Sequence, residues 1–312
     1  MNKMIGEIKL KTEIAEMTVI MPVYNRRDAV KNAIFSVLNQ SFPDFELIIV
    51  DDCSTDGSWE FCNSINDRRI RTFKLPKNSG AAVARNFGIS KSLGKYISFL
   101  DSDDTFEENF LKISKETLDD TAQKIGFMWT GRRIILNGKI HEEVWRPLGT
   151  SSYSIFLKNI RIGTGAGVTI KREVFEKCGN FDMTLPAAED TDFFFRISQH
   201  FDFTYSEEIL VNIYKNNIDR MSKNYKNQAT AYNLFLTQHS TEIGKDPELE
   251  RIYFYKLMWL NFHLNDKVKA KEYFRKIPRN SLKFSLKILF VYNIYFYLPL
   301  RIASYIHGKL AD

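Results

Sequence analysis

The sequence predicts an α/β protein, with a mostly parallel, mixed sheet covered by helices and a helical region after it. Three observations carry this. Strand and helix patterns alternate at least three times before residue 105. The strands are unbroken apolar runs, so both faces of their sheet are covered. The acids and turn formers gather where those strands end, in "PVYN", "DDCS" and "DSDD". That carboxyl edge is where such sheets bind ligands.

Each element follows in order. The first sixteen residues are charged and read as an arm or short lead-in helix. "MTVIMPVYN" is a buried strand ending at a Pro turn. "RRDAVKNAIFSVLNQSF" puts Val30, Ile34, Val37 and Leu38 on one helical face. "FELIIVDDCSTDGS" is a second apolar strand running into acids, and "DGSWEFCNSIND" a second helix. "IRTFKL" is a short strand, "NSGAAVARNFGISKSLG" a Gly-bounded helix, and "KYISFLDSDD" the next strand. Asn137-Gly138 sits between "KIGFMWTGRRIIL" and "GKIHEEVW" and predicts a hairpin. "GTGAGVTIKREVFEKCGNFD" reads as a loop, strand and helix, and "AAEDTDFFFRISQHF" as an amphipathic helix with an acidic start. From about Lys226 the pattern is helical and chemically sparse. No repeat or linker is evident, so this tail is expected to pack on the α/β body.

The 312 residues are 44% hydrophobic and 26% charged, an ordinary globular composition. A net charge of +6 suits a polyanionic ligand or an acidic membrane surface without establishing either. Cys53, Cys62 and Cys178 form no CxxC pair and read as reduced cytosolic thiols. "MNKMIGEIKLKTEIAE" lacks an apolar core, so no secretory signal is expected. His141, His200, His239, His263 and His307 show no zinc spacing and read as surface or packing residues.

An Asp-x-Asp pair at a strand end, as in Asp101 and Asp103, can aim two carboxylates into one cleft. Hard oxygen ligands suit Mg²⁺ or Mn²⁺, which in turn hold a diphosphate. The alternative is a solvated turn in which Asp104 or Thr105 caps the next helix. A second acidic strand end, "VDDCSTDGS", would face the same crevice. The Tyr ring of "PVYN" could stack on a base. Arg85 could pair with phosphate or with one of the Asp residues. Glu189 and Asp190 stand at an expected helix start, where the dipole favours their ionised form; Asp192 adds to that acidic first turn.

"VIMPVYN", "FELIIVDDCSTDGS", "NSGAAVARNFGI", "YISFLDSDD" and "AAEDTDFFFRI" occur in the order found in the family 2 glycosyltransferases, which this chain resembles from about Met17 to Arg220. The resemblance implies an inverting enzyme with a single Rossmann-like, A-type domain. Its nucleotide-binding half would span about 17–105, its acceptor half 106–225, and the helical extension 226–312, after an arm at 1–16. It implies a nucleotide-sugar donor, UDP by family prevalence, and Mn²⁺ or Mg²⁺. Pro22, Val23, Tyr24, Asn25, Asp52, Arg85 and Asp101 would form the nucleotide pocket and Asp103 would hold the metal. Asp190 would be the base that takes the acceptor proton. Asp104, Glu189, Lys215 and Arg220 would lie behind these or against the acceptor. The acceptor class is a saccharide or lipid-linked saccharide in bacterial surface-polysaccharide synthesis. Nucleic acid is not expected; a homo-oligomer is left open. Two departures stand out. There is no Gln-x-x-Arg-Trp motif of the processive relatives, so few additions per acceptor are expected. In "VNIYKNNIDRMSKN", where relatives carry a Tyr-Arg-x-His-like segment, Lys215 and Arg220 supply charge and no His appears.

Two rival readings remain at this stage. "DSDDT" fits the Asp-x-Asp-x-Thr of haloacid-dehalogenase-like phosphatases, with Asp101 as nucleophile, but that motif normally lies on the first strand. A catalytically inactive binding partner is the other. At the tail, Ile288 to Leu300 is uncharged but too short to span a bilayer. From Arg251 onward, twelve Lys/Arg face three Asp/Glu. Interspersed Tyr with flanking Lys and Arg suits a bilayer interface, the alternatives being a helix docked on the body or in a dimer. The expected location is the cytoplasm, peripherally on the inner face of the cell membrane.

Overall fold

The computed structural model describes residues 15–121, 124–146, 163, 167–215, 224–278 and 282–311. The strands are β1 (Met17–Val23), β2 (Phe45–Asp51), β3 (Ile70–Lys74), β4 (Tyr96–Phe99), β5 (Thr105–Phe106), β6 (Ile125–Leu136), β7 (Lys139–Glu143), β8 (Val168–Lys171) and β9 (Asp202–Lys215). They form one sheet in the order β3-β2-β1-β4-β8-β6-β9-β5, with β7 added to β6. The half from β3 to β4 is wholly parallel, with Ile20 level with Ile48 and Phe99. Beyond it, β8 runs antiparallel to β4 and β6, while β9 runs parallel to β6.

The apolar runs explain this layout. Successive strand residues point to opposite faces, and β1 and β2 bury both sets. Ile20, Ile48, Val50, Ile97 and Phe99 face α3 (Ala81–Lys91) and α6 (Glu189–Ser198). Val19, Met21, Leu47 and Ile49 face α1 (Val30–Leu38) and α4 (Phe110–Asp119). Gly88 lets α3 close on β1: a Cβ there would lie 2.5 Å from Ile20 Cγ2. Two short helices complete the body, α2 (Ser58–Ser64) and α5 (Arg172–Cys178). Asn137 and Gly138, at φ 50° and 76°, make the β6–β7 hairpin turn that left-handed Asn-Gly pairs favour.

After β9 come α7 (Tyr225–Gln238), α8 (Ser240–Ile243), α9 (Pro247–His263), α10 (Lys267–Lys276), α11 (Leu282–Tyr297) and α12 (Leu300–Ala311). Tyr232 and Phe235 of α7 and Tyr253 and Leu257 of α9 belong to the same core as α6. A further core joins α9 to α12 through Met258, Phe262, Ala270, Val291 and Ala303. The expectation that the tail packs on the body is met for α7 and α9; α11 and α12 pack on them in turn. None of the described helices is long and apolar enough to cross a membrane. The three cysteines are free.

Candidate active site

Three loops meet at the carboxyl edge of β1, β2 and β4. In each of the first two a residue other than glycine takes the left-handed conformation, Asn25 at φ 50° and Cys53 at φ 65°; such strain clusters where a loop is held for a ligand. Pro22 and Val23 end β1, and Tyr24 follows, 45% exposed. Asn25 ties the loops together: its N–H donates to Ser54 Oγ at 3.0 Å and its Oδ1 accepts from Thr55 N at 2.9 Å. Asp52 is buried and accepts from the backbone N–H groups of Ser79 and Gly80, both at 2.7 Å. It therefore fixes the start of α3. Gly80 sits at φ 91°, which a side chain would oppose.

α3 carries Arg85 into the centre of the site. Its guanidinium donates to Asp101 Oδ1 and to Glu189 Oε1, each at 3.0 Å. Of the two options open for Arg85, the structure thus has it paired with carboxylates on both sides. Beyond Asp101 the acids diverge. Asp103 is partly exposed and meets Arg26 Nε at 3.6 Å; burial and the Asp101 charge push its carboxyl above the usual range. Asp104 turns inward and accepts from Tyr214 N at 2.9 Å. Burial, then the Asp101 charge, pushes it up to about 8, with Lys215 acting against this. So many carboxylates in one place call for added positive charge. Among the described residues no three His, Cys, Asp or Glu side chains converge as a metal cage. A Mg²⁺ or Mn²⁺ ion that keeps water and phosphate oxygens needs only one or two carboxylates, and Asp103, facing solvent with a single cation nearby, is a donor of that kind.

The other wall comes from α6. Ala188 precedes it at φ 58°, and the first turn holds Glu189, Asp190 and Asp192. Phe193, Phe194 and Phe195 follow, all fully buried; each contributes about 1.5–3 kcal/mol of burial and anchors the helix. Asp192 is not free to act on a ligand: it is buried, accepting from Arg196 Nε at 2.8 Å and bonded to His239 Nε2 at 2.7 Å. Asp190 is partly exposed, its Oδ1 accepting from Thr191 N at 2.7 Å. Burial, then the Glu189 charge, raises its carboxyl to about 6, against the pull of Arg85 and Lys256. It faces a cavity of about 790 Å³ whose walls are Ser79–Val83 at the start of α3, the 183–191 segment and Asn227, Gln228 and Tyr232 of α7.

Several of these residues escape sequence reasoning. Arg26 lies one place beyond "PVYN". Gly163 lies against Asp190, where a Cβ would sit 3.0 Å from Oδ2; the Gly pattern of "GTGAG" was its only signal. Asn227, Gln228, Tyr232 and Lys256 correct the expectation that chemistry thins out after Lys226. His239 packs against the rings of Phe195 and Phe235, as expected, and its bond to Asp192 is the part that the sequence did not show. Residues 1–14 of the arm, and Arg220 with the rest of 216–223, lie outside the described residues.

Comparison with known proteins agrees with the fold. A family model, Glycosyl transferase family 2, matches residues 18–179. The putative teichuronic acid biosynthesis glycosyltransferase TuaG of Bacillus subtilis is 38% identical over 150 residues, 47% of this chain and 59% of that protein. A UDP-Glc:alpha-D-GlcNAc-diphosphoundecaprenol beta-1,3-glucosyltransferase, WfaP of Escherichia coli, is 37% identical over 114 residues, 36% of this chain and 45% of that one. The matches thus span about half the length of these relatives. Among solved structures, S. aureus TarS 1-349 in complex with UDP-GlcNAc superposes with a TM-score of 0.68 at 19% identity, covering 84% of this chain and 82% of TarS.

Proposed function

The chain belongs to glycosyltransferase family 2, and we propose that it transfers a sugar from a UDP-linked donor to a saccharide or lipid-linked saccharide acceptor, with inversion, in the synthesis of a bacterial surface polysaccharide. The observation that carries this is the Arg85 bridge. One buried guanidinium holds Asp101, on the donor side, and Glu189, the neighbour of Asp190, on the acceptor side. Support for a UDP donor and a lipid-linked acceptor comes from the name of the Escherichia coli relative. With family membership, the phosphatase reading of "DSDDT" has nothing left to explain.

In this reading the donor lies over the ends of β1, β2 and β4. The Tyr24 ring stacks on the base beside Pro22, Val23 and Asn25. Asp52 acts through the turn it fixes, and Asp101 contacts the nucleoside. Asp103 would hold Mn²⁺ or Mg²⁺, which when bound stabilises the charge of the departing diphosphate. Lys215 and Asp104 shape the diphosphate end. Asp190 takes the proton from the acceptor hydroxyl. Its burial keeps it basic, while Arg85 and Lys256 keep it ionised at neutral pH; a base near 6 is well matched to that task. One base opposite the leaving group gives a single displacement, hence inversion. The halves at about 17–105 and 106–225 divide these tasks, with 226–312 completing the acceptor side. The membrane contact would be made by α11 and α12, where Leu286, Leu289, Phe290, Tyr297, Ile302 and Tyr305 are exposed beside Arg301.

Isothermal titration of UDP with and without Mn²⁺ tests the donor site. Wild type should bind more tightly with Mn²⁺, and Asp103→Ala should lose most of that gain. An undiminished gain in Asp103→Ala would remove Asp103 from the metal.

A further inference from the structure

We propose that a second pocket, where α7, α9, α11 and α12 meet, binds the saccharide chain of the acceptor at sugars beyond the reacting one. The pocket has a volume of about 560 Å³. Its lining is a run of rings. Tyr225 stands edge-on to Trp259 with centroids 5.6 Å apart, His263 lies 4.0 Å from Trp259, and Tyr295 lies 5.5 Å from His263. A sugar ring has an apolar C–H face and a rim of hydroxyls. Aromatic walls with a few fixed polar groups suit such a ligand.

The polar groups are present on α12. Leu300, Arg301, Ser304, His307 and Gly308 all line the pocket, and their spacing puts them on one helical face. Arg301 is exposed and makes no ion pair among the described residues. His263 Nδ1 faces the Trp259 carbonyl at 3.0 Å. A carbonyl only accepts, so Nδ1 is the donor and Nε2 is an acceptor, facing Ser304 Oγ at 3.4 Å. Both His307 nitrogens meet tyrosine hydroxyls, at Tyr255 and Tyr295, so the rings are held in place and Arg301 is the donor offered to a sugar hydroxyl.

What favours an acceptor glycan is that the two cavities are built on the same helices. On α7, Tyr225 lines this pocket while Asn227, Gln228 and Tyr232 line the one holding Asp190. At 1.5 Å per residue, Tyr225 and Gln228 are about 4.5 Å apart along the axis. On α9, Lys256 reaches Tyr232 and acts on the Asp190 charge, and Trp259 and His263 follow on the same face one and two turns later. α7 therefore lines both cavities, and α9 lines the ring-lined one and touches the wall of the other through the Lys256–Tyr232 contact. Leu300 and Arg301, which line the pocket, are exposed and adjoin the exposed Tyr297 and Ile302 of α11 and α12. A lipid-linked chain reaching from these exposed residues to Asp190 would pass through the pocket. The inference rests on the proposed acceptor class.

Gly308 provides a clean test, since a Cβ there meets no atom within 4 Å. Gly308→Trp fills the pocket and leaves the catalytic residues alone; Ser304→Phe is the second filling variant. The probe is an array of defined linear oligosaccharides of bacterial surface polysaccharides, two to six residues long. UDP titration with Mn²⁺ runs in parallel. Wild type and Asp190→Asn should bind array members, and both filling variants should lose that binding at least tenfold while UDP affinity stays unchanged. Wild-type binding of no array member overturns the pocket, as does wild-type-like binding by the filled variants. Failure of wild type to bind UDP would count against the donor reading instead.

Discussion

Replacing Arg85 with Met keeps a long side chain and removes the charge that holds Asp101 and Glu189. Arg85 is 6% exposed, and both its ion pairs measure 3.0 Å. Taking one partner out of a buried pair costs about 3–5 kcal/mol, because a charge is left uncompensated. The Asp101 side chain is 40% exposed, so water reduces its share to about 1 kcal/mol or less. Glu189, at 16%, keeps most of its share. The expected loss is about 2–4 kcal/mol, or roughly 3–6 °C in Tm for a chain of this size. Scanning fluorimetry of Arg85→Met, Glu189→Gln and the double variant measures it. The double variant strands no buried carboxylate, so it should recover about 1–3 kcal/mol relative to the sum of the single effects. Activity should not recover with it. Arg85 is one of the cations that lower the Asp190 carboxyl, so the acid limb of the kcat/KM profile in Arg85→Met should move to higher pH. Melting of Arg85→Met within about 1 °C of wild type, or a double variant less stable than the sum of the singles, would refute the bridge.

Two other predictions concern the same account. The Asp190 carboxyl titrates near 6 in the folded chain, against an ordinary 3.8. The folded state therefore holds a proton that the unfolded state has released, and stability is lost as pH rises through that window, by up to about 3 kcal/mol. Urea unfolding at pH 4.5 and pH 8 should show Asp190→Asn gaining on wild type at the higher pH; an equal difference at both would contradict the assignment. For the tail, wild type should co-sediment with phosphatidylglycerol vesicles and be released by salt, while Leu289→Glu/Ile302→Glu should stay in the supernatant. Equal recovery of both proteins in the supernatant would leave this face to another role.

The parallel half of the sheet was legible because its strands are apolar on both faces and each ends in acids or turn formers. The β6–β7 hairpin was legible because Asn137-Gly138 has one favoured turn. Asp52, Asp101 and Asp190 could be read as strand- or helix-end carboxylates, and Arg85 as a partner for one of the Asp residues, but not the Ser79 and Gly80 amides on Asp52 or Glu189 as the second partner of Arg85. Arg85 reaches Glu189 across 104 residues of chain, and only packing of α3 against α6 brings them together. "DSDD" reads as a uniform acidic turn, yet Tyr214 N on β9 draws Asp104 inward and leaves Asp103 outside. Gln228, Tyr232 and Lys256 lie on helices whose pattern reports only burial. Their place beside Asp190 follows from the core that α7 and α9 share with α6, a tertiary fact with no local signature.

The measurement that bears most directly on the account is the configuration of the new glycosidic bond, followed by ¹H NMR of the anomeric proton, for wild type and Asp190→Asn on one UDP-sugar and acceptor. A single displacement with Asp190 as base predicts an equatorial product from an axial donor. It also predicts a rate roughly 10²–10⁴ lower in Asp190→Asn, with UDP–Mn²⁺ affinity nearly unchanged. Retained configuration would contradict the mechanism, and near-normal turnover by Asp190→Asn would remove Asp190 as the base.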